Sequence, residues 1–221
     1  MIPVTLLVVT KAPVPGFAKT RLAETVGPQV AADIAAAALL DTLDAVAAVP
    51  VQARVVALTG NLDEASSGPE IKRRLADFTV VEQRGDDFAE RLANASADAA
   101  AAGGARPILL IASDSPQVTA GLLTECANTL LGVDAVFGLA RDGGWWLFGM
   151  ADAATAEVLR AIPTSRSDTG AVTLSALRDT GVDVRLVAEL SDVDTIDDVD
   201  GVRRACVPGS RFVRAVRAAG I

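Results

Sequence analysis

Short apolar runs alternate with alanine-rich stretches of helical spacing along this chain, and that alternation constrains the fold more than any single residue does. The predicted strands are Thr5–Thr10, Arg54–Leu58, Thr79–Glu82, Pro107–Ala112, Ala135–Leu139, Trp145–Met150 and Val182–Val187. Between and after them lie predicted helices at Gln29–Ala47, Glu70–Ala76, Asp87–Ala102, Ala120–Leu131, Ala153–Ala161, Gly170–Thr180 and Ile196–Ala205. In the first helix Val30, Ile34, Leu39, Leu43 and Val46 recur at helical spacing. Several strands, Ile108–Ala112 above all, are continuous apolar runs without alternation, as expected of strands covered on both faces by helices. The expectation is a three-layer α/β/α fold around a mostly parallel mixed sheet. Trp145–Met150 follows Ala135–Leu139 too closely for a helical crossover, so at least one strand should be antiparallel or displaced.

At 221 residues one domain over 1–221 is expected. Asn61–Pro69 reads as a surface loop, and Ala95–Gly104 as a helix closed by a Gly-Gly stop. The tail Pro208–Ile221 carries Arg211, Arg214 and Arg217 at a period of three, with Phe212, Val213 and Val216 available to pack; it reads as a solvated terminal helix.

Composition excludes several chemistries. The chain has no histidine and no tyrosine, which removes Ser-His-Asp and Cys-His hydrolysis, histidine-ligated zinc and histidine bases. Proton transfer is left to carboxylates, lysine or water. A net charge of −8 argues against nucleic acid as a partner. Cys126 and Cys206 are far apart and read as buried thiols of a reducing compartment. With too few apolar residues before Lys11 for a signal peptide and no membrane-spanning stretch, the expectation is a soluble cytoplasmic protein.

Against that acidity the segment Lys11-Ala-Pro-Val-Pro-Gly-Phe-Ala-Lys-Thr-Arg21 gathers three cations straight after the first strand. The C-terminal edge of an open α/β sheet is where ligands bind, and Lys11, Lys19 and Arg21, with backbone donors around Gly16, suit nucleotide phosphates. The alternative is a solvated loop leading into a helix. The segment lacks the first glycine of a Walker P-loop, and no Gly-x-Gly-x-x-Gly is present.

Three acidic or glycine-rich segments follow. Asp114, in Ile111-Ala-Ser-Asp-Ser-Pro116, ends the most apolar strand and is either a metal-binding carboxylate on that same edge or a cap for the next helix. In Ser191-Asp-Val-Asp-Thr195, Asp192 and Asp194 are placed to converge with Asp114 on one Mg²⁺ or Mn²⁺, while Thr195 with Asp198 forms a capping box. Ile196 stands where an EF-hand needs oxygen. In Ala140-Arg-Asp-Gly-Gly-Trp-Trp146 the pair Gly143 and Gly144 allows close approach of a ligand, and Asp142 is a candidate substrate ligand or base. The alternative there is a tight turn with a tryptophan packed in the core. Arg166, in the hydroxyl-rich loop Pro163–Gly170, either meets an acceptor phosphate or belongs to a helix-capping loop.

Taken together, Lys11–Leu22, Ser113-Asp-Ser-Pro116, Asp142-Gly-Gly-Trp-Trp-Leu147 and Asp192-Val-Asp-Thr195, in that order, resemble the DUF2064 family of GT-A-fold proteins, provisionally labelled glycosyltransferases. The resemblance runs from about Val4 to Val202. That family is similar to the guanylyltransferases of cofactor F420 biosynthesis and to molybdenum-cofactor nucleotidyltransferases. The resemblance implies a Rossmann-like GT-A fold, a divalent metal, a nucleotide and a small-molecule acceptor. It matches Lys19 and Arg21 to the phosphate-binding cations, Asp114 with Asp192 and Asp194 to the metal site, and Asp142 with Gly143 to the acceptor loop. The Asp-x-Asp comes late and Asp114 has serine on both sides, which fits nucleotidyl transfer better than glycosyl transfer. The glycine-rich nucleobase loop of molybdenum-cofactor enzymes is not visible. The expected activity is metal-dependent nucleotidyl transfer from an NTP with release of pyrophosphate. The alternatives are glycosyl transfer from a nucleoside diphosphate sugar and a non-enzymatic nucleotide-binding module.

Overall fold

A computed structural model of the chain describes residues 1–104 and 107–221. Its centre is a sheet of β1 (Ile2–Lys11), β2 (Val51–Thr59), β3 (Thr79–Glu82), β4 (Ile108–Ala112), β5 (Ala135–Leu139), β6 (Trp145–Met150) and β7 (Val184–Leu186), in the spatial order β3-β2-β1-β4-β6-β5-β7. Each predicted strand is present. Only β6 runs against its neighbours β4 and β5; the other pairs are parallel. The short connection from β5 to β6 allows a hairpin and no crossover, as the spacing required.

The helices are α1 (Thr20–Val26), α2 (Pro28–Ala48), α3 (Gly68–Leu75), α4 (Phe88–Gly103), α5 (Ala120–Leu130), α6 (Thr169–Asp179), α7 (Ile196–Ala205) and α8 (Arg211–Ala218). Strand pleating sends alternate residues to opposite faces, which explains the unbroken apolar runs. Leu6 and Val8 of β1 with Leu109 and Ile111 of β4 pack toward Leu39 and Leu43 of α2 and Leu123 of α5. Leu7 and Val9 with Ile108 and Leu110 pack toward Leu92 and Ala95 of α4 and Leu177 of α6. Helices therefore cover both faces, and among the described residues none is long and apolar enough to cross a membrane.

Two expectations need correction. Ala153–Ala161 is a 3-10 helix, not an α-helix. Its buried residues, Ala156 and Leu159, are three apart, and a 3-10 turn stacks side chains at that interval on one face. The C-terminal helix is not a solvated one: Phe212, Val213 and Val216 of α8 are buried with Ile34 and Ala38 of α2 and Leu22 of α1. Asp41 of α2 caps α8 from outside, accepting from Arg211 N at 3.0 Å and Phe212 N at 2.8 Å. The helix docks because its first-turn donors find a carboxylate there. Cys126 and Cys206 are both buried and unbridged, and burial pushes each thiol up to about 12.

Candidate functional site

Strands β1 and β4 lie side by side in parallel register, from Thr5 opposite Ile108 to Val9 opposite Ala112, so their C-terminal ends emerge together. A 2.8 Å hydrogen bond between the hydroxyls of Thr10 and Ser113 joins them there. The loop after β1 ends at Lys19, which precedes α1 in a left-handed conformation (φ 50, ψ 49) that L-residues seldom adopt. Its Nζ donates to Asp114 Oδ2 at 2.9 Å and lies 4.0 Å from Asp194 Oδ1. Arg21, two residues on and in the first turn of α1, holds Asp194 Oδ2 at 2.5 Å.

Asp192 and Asp194 reach this edge through backbone pairing. Ala140, just past β5, bridges to Leu190, and Val193 N donates to the Asp114 carbonyl at 3.1 Å. The capping box of α7 is present as well: Asp198 accepts from Thr195 N and from Asp194 N. Asp198 is thereby committed to holding the helix start, while Asp192 and Asp194 project before it.

The cluster is short of positive charge. The Lys19 side chain is only 16% exposed; burial opposes its charge, yet Asp114, then Asp194 and Asp192, raise its pKa above the ordinary lysine value. Asp192 is pushed up to about 7, first by burial and then by the Asp114 and Asp142 charges, with Lys19 offsetting only part. Four carboxylates thus face two cations, Lys19 and Arg21. Clustered like charges with oxygen donors only suit a hard divalent ion such as Mg²⁺ or Mn²⁺. Among the described residues no three carboxylates form a ready-made cage. That is compatible with Mg²⁺, which commonly takes one or two carboxylates together with substrate phosphates.

The structure also shows what each motif residue contacts within the protein. Asp114 does not cap α5; Thr119 does, accepting from Leu122 N at 3.2 Å. Lys11 is exposed, with its Nζ 5.5 Å from the centre of the Phe17 ring. Gly16, at φ +79, sits at an open apex with no atom near the place a Cβ would occupy. Gly143, at φ +92, is required by packing: a Cβ there would fall 1.7 Å from the Ser167 carbonyl oxygen. Gly144 N donates to Asp142 Oδ1 at 2.8 Å, so Asp142 is exposed but fixed within the turn. Trp146 is buried in the core and donates its Nε1 to the Ala188 carbonyl, while Trp145 packs against Phe137 and Phe148. Arg166 pairs with Asp168 two residues away, an exposed and local contact.

Two contributors were not visible in the sequence. Gln117 is buried, and its side-chain amide donates to the Ser191 carbonyl, tying the Asp114 loop to the Asp192 loop. Thr10 and Ser113 make the hydroxyl pair described above. The only sequence signal for either was its position flanking a motif, since each depends on a partner at least 70 residues away.

The sequence profile of the DUF2064 family, described as an uncharacterized protein conserved in bacteria, matches residues 42–166. The chain belongs to the DUF2064 family. It is similar in structure to a protein of Desulfovibrio desulfuricans G20 provisionally named a nucleotide-diphospho-sugar transferase, with a TM-score of 0.86 and 26% identity over 100% of this chain and 96% of that one. The fold of this DUF2064 member is accordingly the Rossmann-like GT-A type. Rv0371c of Mycobacterium tuberculosis H37Rv, in complex with manganese, matches with a TM-score of 0.56 and 21% identity over 90% of this chain and 97% of that one. A cytidylyltransferase of Leptospira borgpetersenii serovar Hardjo-bovis (strain JB197) matches with a TM-score of 0.57 and 14% identity over 100% and 94%. No curated protein matches the chain.

Proposed function

We propose that this protein is a transferase that uses a nucleotide, and that its reaction is nucleotidyl transfer from an NTP to a small phosphate- or hydroxyl-bearing acceptor. The observation that carries the reading is the contact of Lys19 with both Asp114 and Asp194 at the joined ends of β1 and β4. Phosphate-seeking cations and metal-seeking carboxylates share one crevice there. The structural likeness to the Desulfovibrio protein supports a nucleotide substrate, and the likeness to the manganese-bound Mycobacterium protein supports the metal.

Asp114, Asp192 and Asp194 would hold Mg²⁺ or Mn²⁺, which when bound supplies positive charge at phosphate oxygens. Lys19 and Arg21 bind the polyphosphate and offset the charge that grows on the leaving group. An acceptor oxygen attacks the α-phosphorus, the bond from that phosphorus to the bridging oxygen breaks, and pyrophosphate leaves. Asp142, fixed by Gly144 N on the opposite wall, orients the acceptor or takes its proton. Positioning and electrostatics do most of this chemistry.

A second reading, glycosyl transfer from a nucleoside diphosphate sugar, is favoured by the name of the Desulfovibrio protein. A thermal-shift screen of NTPs and nucleotide sugars with and without Mg²⁺ tests both, since a specific ligand raises Tm by mass action. The expected result is a metal-dependent rise with an NTP, followed by pyrophosphate release once an acceptor is found. Release of free nucleoside diphosphate from a nucleotide sugar would select the second reading. Tight binding without turnover across all acceptors would leave a nucleotide-binding module.

A further inference from the structure

The two cations assigned above to phosphate are, in this structure, engaged with two of the carboxylates assigned to the metal. Lys19 Nζ donates to Asp114 at 2.9 Å, stands 4.0 Å from Asp194, and its side chain is 16% exposed. Arg21 takes the other oxygen of Asp194. An ammonium hydrogen-bonded to these oxygens competes with a metal ion for the same lone pairs, and two cations at that separation repel. The Lys19 backbone is left-handed, a conformation that L-residues seldom adopt and that persists where surrounding contacts hold it. Pro15, Gly16 and Phe17, just before it, are exposed, so the outer part of the loop has room to shift.

We infer that Lys19 is an internal counter-ion that makes this site select a divalent metal already chelated by polyphosphate over the bare ion. When the metal–polyphosphate complex arrives, phosphate oxygens take the ammonium from Asp114, and the freed carboxylate oxygens take the metal. Neither partner achieves this alone. The bare ion must displace a buried ammonium that gains no new partner, and bare polyphosphate meets uncompensated aspartates. The two ligands are therefore coupled, and by linkage each strengthens the other equally. The inference rests on the proposed function above, deepening it from a nucleotide and a metal to their complex.

The test compares bare Mn²⁺ with premixed Mn²⁺–tripolyphosphate, a probe free of any nucleobase preference, on the full chain. Binding is followed by Mn²⁺ electron paramagnetic resonance and calorimetry. The wild-type chain should prefer the complex by about tenfold, a modest coupling factor. Lys19→Met should bind bare Mn²⁺ about tenfold more tightly than wild type and lose most of that preference, because the competing cation is gone. Lys19→Gln, which keeps a donor without charge, should show the same gain and covers the case in which the methionine variant fails to fold. If neither variant binds bare Mn²⁺ more tightly while the wild type binds the complex, Lys19 is no competitor and the inference falls, leaving the proposed function standing. If the wild type binds neither form, the proposed function falls and takes the inference with it.

Discussion

The C-terminal edge of the sheet carries two loop walls whose contacts differ in range. In the loop from Lys11 to Arg21 the charged groups reach far across the chain: Lys19 to Asp114, 95 residues on, and Arg21 to Asp194, 173 residues on. In the other wall, residues 140–144 and 163–170, the side-chain contacts close locally. Arg166 pairs with Asp168 and Asp142 accepts from Gly144 N, while a backbone bond from Gly170 N to the Gly143 carbonyl at 2.7 Å joins the two segments. Both walls were singled out as ligand loops for the same composition, glycine beside charge. Composition therefore does not separate a loop whose charges reach across the chain from one whose side chains brace their own turn; the range of the electrostatic contacts does.

That contrast can be broken most forcefully at Asp114. Asp114→Asn keeps the shape and removes a charge, and turnover should fall on the order of 10²–10³, as for other lost transition-state contacts. The metal-dependent rise in Tm should vanish while the circular dichroism spectrum stays unchanged. An unaltered thermal response would place the metal elsewhere. The bracing wall should answer in the opposite currency. Gly143→Ala meets both the positive φ and the Ser167 carbonyl, and should cost about 2 kcal/mol of stability, lowering Tm by roughly 5 °C. Tripolyphosphate affinity should barely move, and an equal loss of affinity would erase the distinction between the walls.

Proton linkage probes the carboxylate cluster between the walls, where Asp192 has a raised pKa. Asp192 rises to about 7, so the folded protein keeps a proton that the unfolded chain has released above the ordinary aspartate range. The metal-free protein should therefore lose stability as pH rises from about 4 toward 7, in the sense opposite to a salt-bridged carboxylate. Since a metal must displace that proton, Mn²⁺ affinity should weaken by about tenfold per pH unit below 7. Calorimetric titration at several pH values measures it, and a flat profile removes Asp192 from the ligand set. The smallest effect belongs to Arg166→Ala, which gives up only an exposed local pair and should leave Tm and nucleotide affinity nearly unchanged.

These outcomes bear on how much the sequence could disclose. Strands buried on both faces leave unbroken apolar runs, so β1 and β4 were readable without tertiary knowledge, and the short β5–β6 spacing betrayed the reversed strand. The α1 segment was missed because Leu22 is its one buried residue, too little for a periodic signal. The amphipathic pattern of α8 was read, but its burial depends on Asp41, about 170 residues away. The same limit applies to the site. Lys19, Arg21 and the aspartates were legible as residue types at strand ends, and charge and position alone grouped Lys11 with Lys19. Only the fold shows that Lys11 turns to Phe17 whereas Lys19 turns inward. Gln117 signalled nothing beyond its place beside a motif, since its role is a bond to a backbone carbonyl 74 residues on.

The reversed direction of β6 has a mechanical corollary. Residues 140–144 are the tip of a hairpin whose stems are each zipped to a neighbour, β6 to β4 and β5 to β7. To swing, that tip would have to peel strands from the middle of the sheet. The first loop is rooted as deeply, on β1, which pairs with β2 as far as Lys11 and with β4 on its other side, and its Pro13 carbonyl accepts from Ser66 N at 3.0 Å. Both shoulders of the site therefore stand on central strands, and a guest meets a seat whose shape is set before it arrives.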